Sequence, residues 1–110
     1  MYTYLPTSFS ANQALCIVPP FSTCNPIYGT SVGRGSFFFQ PGDWTTVTQR
    51  MRLNDAGQEN GELELIVNGQ SKINVSGLVL RSSEAGRVRG MHIQTFFGGS
   101  FRRCVSLATL

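Results

Sequence analysis

The stretch that decides the fold is Glu62-Leu63-Glu64-Leu65-Ile66-Val67-Asn68-Gly69-Gln70-Ser71-Lys72-Ile73-Asn74-Val75-Ser76. Leu63, Leu65 and Val67 alternate with Glu62 and Glu64, the two-residue period of a strand with one face in a core. Asn68-Gly69 supplies a two-residue turn that needs positive φ at both positions, the strongest short hairpin signal in the chain. The return run offers Ile73 and Val75 to the core face and Lys72 and Asn74 to solvent.

Further strands are read on either side. Residues 45–53 place Val47, Met51 and Leu53 on one face with Gln49, and Thr46, Thr48, Arg50 and Arg52 on the other. Residues 88–97 set Met91, Ile93 and Phe97 against Gly90, His92 and Gln94. Residues 36–40 form a strand led by Gly33-Arg34-Gly35 and stopped by the Pro41-Gly42-Asp43 turn. Tyr2-Thr3-Tyr4 ends a strand at Leu5-Pro6, and Leu78-Val79-Leu80 is a short buried run. From Pro6 to Val32 the composition shifts to Pro, Ser, Asn, Cys and small residues, which reads as a long loop. No segment shows a helical period. Antiparallel strands of this kind make an all-β sandwich or jelly roll. About six strands are countable, fewer than the eight of a jelly roll, so the fold is expected to be incomplete at both ends.

At 110 residues the chain is one domain at most. Hydrophobic residues make up 41% and charged residues 14%, which excludes a disordered tail or a charged coil. Arg102 and Arg103 supply two of the net +3 charges. A dense basic patch is absent, so nucleic acid is not the expected partner. No run of about 18 apolar residues occurs, so no membrane-spanning helix is expected. The first residues lack the basic start and apolar core of a signal peptide. Cys16 and Cys24 lie close enough in a Pro-rich loop to form a small disulfide ring, leaving Cys104 over; free thiols are the alternative. Asn74-Val75-Ser76 is a glycosylation sequon in a secreted chain and a chance tripeptide otherwise.

The wet faces of residues 45–53 and 88–97 carry Arg, His and Gln in place of the usual Lys and Glu, a lining suited to an anionic, hydroxyl-rich ligand. Arg50, His92 and Gln94 on those faces, with Arg34 between its two glycines, are the candidate substrate-binding residues. Each has a plain structural reading as a surface ladder or loop anchor. Trp44, after its Pro-Gly-Asp turn, reads as a core or hairpin anchor.

The order of motifs resembles polysaccharide lyase family 14 and its glucuronan-lyase-like relatives, especially secreted fungal members. It is carried by Tyr2-Thr3-Tyr4-Leu5-Pro6, Asn25-Pro26-Ile27-Tyr28-Gly29, Ser31-Val32-Gly33-Arg34-Gly35, Phe39-Gln40-Pro41-Gly42-Asp43-Trp44, Gln49-Arg50-Met51-Arg52-Leu53-Asn54, Gly77-Leu78-Val79-Leu80-Arg81 and Gly90-Met91-His92-Ile93-Gln94-Thr95-Phe96-Phe97-Gly98-Gly99-Ser100. The resemblance implies a concanavalin-like jelly roll that cleaves uronic-acid polysaccharides, of alginate or glucuronan type, by β-elimination. It implies an extracellular, monomeric enzyme with an acidic polysaccharide as partner and a site that needs no metal or cofactor. Tyr2 and Tyr4 match the family's catalytic Tyr-x-Tyr pair, and their spacing puts both phenols on one strand face. The family's Lys and Ser-x-Arg pair, on earlier strands, have no match here. The chain is thus expected to be a partial lyase domain over residues 1–100, with impaired activity and a divergent tail at residues 101–110. The alternative is a non-catalytic carbohydrate-binding β-sandwich module.

Overall fold

The computed structural model describes residues 1–6 and 8–92. Its elements in chain order are β1 (Tyr2–Thr3), a 3-10 helix (Ser10–Ile17), β2 (Thr23–Asn25), β3 (Gly29–Ser31), β4 (Val47–Arg52), β5 (Gly61–Val67) and β6 (Gln70–Leu78). They form two antiparallel three-stranded sheets, ordered β1-β3-β2 and β4-β5-β6. The fold is all-β and sandwich-like.

The β5–β6 hairpin forms as its alternation dictates. Asn68 and Gly69 both take positive φ, 49° and 79°, and close the turn. Leu63, Leu65 and Val67 of β5 are buried, as are Ile73 and Val75 of β6. A register shift near Gly77 (φ 75°) adds a residue to β6 and resets its parity. Leu78 therefore joins Ile73 and Val75 in the core, although its position number alone would place it outside. Leu15 of the helix and Val32 after β3 complete that core.

Two fully buried asparagines hold the irregular segment that leaves β6. The Asn12 amide donates to the carbonyls of Val79 and Pro6 at 3.0 and 2.8 Å, and its Oδ1 accepts from the Val79 amide at 2.9 Å. Asn54 Oδ1 accepts from the Leu80 and Arg81 amides, and its Nδ2 donates to the carbonyls of Asp55, Gln58 and Arg81. Each side chain supplies the bonds that a neighbouring strand would otherwise give, which buried backbone requires.

Several sequence expectations are corrected. The supposed loop from Pro6 to Val32 holds the 3-10 helix, β2 and β3. Its helix stacks Asn12 and Leu15 three residues apart on one buried face, a three-residue repeat that a search for a 3.6-residue period passes over. Residues 36–40 are not a strand. Gly33 and Gly35 turn the chain at φ 60° and 86°, and Phe37 and Phe39 pack edge-to-face at 5.3 Å instead of alternating. Trp44 is 99% exposed and anchors nothing.

The face of β4 expected in the core is also corrected. Val47 and Met51 are 46% and 45% exposed. The reason is that β4 is an edge strand among the described residues, and the helix packs on β6, β2 and β3 without reaching it. Residues 88–92 form no strand, and no described strand lies alongside to supply their hydrogen bonds. The remainder of that expected strand, with Ile93, Gln94 and Phe97, lies outside the described residues.

Candidate functional site

β1 is held between the chain's start and the β2–β3 hairpin. Tyr2 and Thr3 pair with Ser31 and Thr30 of β3, and the Met1 amino group donates to the Val32 carbonyl at 3.0 Å. Burial holds the pKa of that amino group below its ordinary value of 8.0. Tyr2 and Tyr4, two residues apart, project together, with ring centroids 5.4 Å apart and planes at 62°. The Tyr2 hydroxyl donates to the Tyr28 carbonyl. Tyr4 is 80% exposed, and no described group accepts from its hydroxyl.

The hairpin that receives Tyr2 is built by Asn25, whose Oδ1 accepts from the amides of Ile27 and Tyr28 at 2.8 and 2.9 Å. Gly29 follows at φ 92°, and a Cβ there would meet Thr3 O at 2.7 Å and ring carbons of Tyr2 and Tyr4 at 3.0 Å. Both tyrosine rings thus rest on a glycine backbone.

An open groove of about 300 Å³ runs beside the pair, lined by Tyr2, Thr3, Tyr4, Leu5, Gln49, Met51, Leu63 and Leu80. Gln49 is its one side-chain amide. Sequence reasoning passed over Gln49, although a glutamine on the otherwise apolar side of residues 47–53 was the available signal. It holds only a weak contact at 4.0 Å with the Met1 sulfur, so a ligand can displace that contact at little cost.

The other sequence candidates do not join this groove. Arg50 lies on the opposite face of β4 from Gln49, as strand alternation requires. There it pairs with Glu62 and Glu64 at 2.9 and 3.0 Å, while Arg52 pairs with Glu62 at 3.1 Å. Hydrogen bonds from Ser71 and then Arg50 hold the Glu64 carboxyl below its ordinary pKa, and hydrogen bonds from Arg52 and Arg50 do so for Glu62. The Arg50 guanidinium is raised in turn by its bonds to Glu64 and Glu62. A substrate carboxylate at Arg50 would compete with two resident ones.

Arg34 is exposed between Gly33 and Gly35, its amide donating to Phe21 O at 2.7 Å. His92 is exposed in irregular chain, and Gln94 lies outside the described residues. Cys16 and Cys24 form a disulfide with Cα atoms 5.3 Å apart, tying the helix to β2. Asn74 is exposed on β6, opposite Glu64.

The two-sheet scaffold is that of an all-β protein, with an open groove edged by paired phenols and one side-chain amide. Comparison with known families places it more closely: the model for polysaccharide lyase 14 matches residues 1–107, and the chain belongs to that family. No curated protein and no solved structure matches it.

Proposed function

We propose that this chain acts on uronic-acid polysaccharides of the alginate or glucuronan type by β-elimination, with Tyr2 and Tyr4 at the point of reaction. The observation that carries this reading is the placement of both phenols, in edge contact, along a groove with a side-chain amide. In the reaction a base removes the C5 proton of the uronate, and that electron pair forms the C4–C5 double bond. The C4–O bond to the next sugar breaks, and an acid protonates the departing oxygen. The C5 proton is weakly acidic, so negative charge growing on the uronate carboxylate has to be stabilised.

The two phenols divide the work by their partners. Tyr2 donates its hydroxyl hydrogen bond to the Tyr28 carbonyl and offers the substrate only lone pairs, so it orients the sugar and its neighbour. Tyr4, whose hydroxyl has no described acceptor, moves the proton: deprotonated, it takes the C5 proton, and the phenol so formed hands that proton to the departing C4 oxygen. The Gln49 amide donates to the uronate carboxylate or to a ring hydroxyl. No lysine, arginine or histidine lines the groove among the described residues. The same observation favours the second reading, a module that binds acidic polysaccharide without cleaving it.

Tyr4→Phe separates the two. Formation of unsaturated uronate from glucuronan or alginate is followed by ultraviolet absorbance, and binding by calorimetry. The substitution is expected to cut turnover about a hundredfold or more, with affinity retained. A wild-type chain that binds but never forms unsaturated product would establish the binding module and end the lyase reading.

A further inference from the structure

All three tyrosines of the chain gather at one end of the β1-β3-β2 sheet. Tyr2 and Tyr4 edge the groove, while Tyr28 stands at the tip of the β2–β3 hairpin, the residue 69% exposed. Its backbone does the structural work there. The Tyr28 amide donates to Asn25 Oδ1 at 2.9 Å, and its carbonyl accepts the Tyr2 hydroxyl. The ring takes no part in this, and its hydroxyl has no partner among the described residues. An aromatic side chain held at a fixed backbone position, within hydrogen-bond reach of the site and without a packing role, is available to a ligand.

The groove itself, at about 300 Å³, sits at the small end of sites that enclose a whole ligand. A polymer seated at Tyr2 and Tyr4 would exceed the groove, and the hairpin tip adjoins Tyr2 through the bond to the Tyr28 carbonyl. A tyrosine ring has a negative face. The axial C–H groups of a pyranose form an apolar, weakly positive face that complements it. A phenol ring also orders few rotatable bonds on binding, so the contact is not offset by a large entropy loss.

We propose that the Tyr28 ring forms a flanking subsite, on which a sugar unit outside the Tyr2–Tyr4 groove stacks, so that the site favours longer chains over a disaccharide. This rests on the reading that the ligand is an acidic polysaccharide, and it adds a specificity-determining residue to that reading.

The test compares calorimetric affinities of the wild type, Tyr28→Ala and Tyr28→Trp for a glucuronate disaccharide and hexasaccharide. Tyr28→Ala keeps the backbone carbonyl and so leaves the bond from Tyr2 in place. It is expected to lose about tenfold in affinity for the hexasaccharide, the scale of one aromatic contact, with no change for the disaccharide. Tyr28→Trp is expected to retain hexasaccharide binding. Equal loss for both ligands would mean that Tyr28 acts only through Tyr2, and no loss for either would mean that it touches no sugar; each overturns the subsite. A wild type that binds both lengths equally overturns it too while leaving the polysaccharide reading intact. A wild type that binds neither ends both.

Discussion

Gly29→Ala is the substitution whose cost the structure resolves into parts. Gly29 sits at φ 92°, where an L-residue is strained whatever space surrounds it, and its new Cβ would lie 2.7 Å from Thr3 O. The backbone part costs about 1 kcal/mol or slightly more. The contact part is larger than it first looks, because the obstacle is backbone. Thr3 cannot retreat without leaving Thr30, and β1 has only two paired residues to lose. Breaking one such hydrogen bond and displacing two rings adds about 1–2 kcal/mol, for a total of about 2–3 kcal/mol. In a domain of this size that lowers the melting temperature on the order of 10 °C.

Gly57→Ala is the matched control: it has φ 78° and nothing within 4 Å of the new Cβ. It should cost the backbone part alone, about 1 kcal/mol. Urea unfolding of both variants, followed by far-ultraviolet circular dichroism, gives the two values side by side. If Gly29→Ala is no more destabilising than Gly57→Ala, the tyrosine pair does not rest on this glycine, and the account of how β1 is held fails with it.

Two more perturbations follow from the packing and the charges. Asn12→Ala removes the partners of both backbone groups of Val79 and of the Pro6 carbonyl, and stranding buried polar groups should cost about 3 kcal/mol in urea unfolding; a loss under about 1 kcal/mol would show that the segment after Leu78 does not depend on it. Glu62 and Glu64 have folded pKa values below the ordinary carboxylate value of 4.5, so their contribution is full above that pH and fades as pH falls through the lowered folded values. Melting temperature should therefore decline in acid below that point, and Glu62→Gln with Glu64→Gln should flatten the decline; an unchanged acid limb would contradict it.

What the sequence made legible was local. The β5–β6 hairpin could be read because its alternation and its Asn-Gly turn agree within sixteen residues or so. Tyr2 and Tyr4 could be paired because a strand's period is enough to put them side by side. The exposure of β4 was not legible, since Val47 and Met51 alternate as a core strand does and only the position of the helix decides what covers them. Asn12 and Asn54 escaped notice because a buried asparagine that serves distant backbone is spelled like any turn asparagine. Arg50 was visible as a candidate ligand cation, but its two glutamates are cross-strand neighbours, and register belongs to the pairing and not to the local pattern.

The ladder of Arg50, Arg52, Glu62 and Glu64 has a consequence for the protein in concentrated solution. Among the described residues β4 pairs on one side only, and its other side offers an open row of amides and carbonyls, the usual template for fibril growth. A second molecule docking antiparallel along that row would bring guanidinium groups against guanidinium groups, and like charges set opposite one another repel. The margin of the sheet thus carries its own deterrent to lateral assembly, and it strengthens in acid, where the carboxylates that balance those cations are lost.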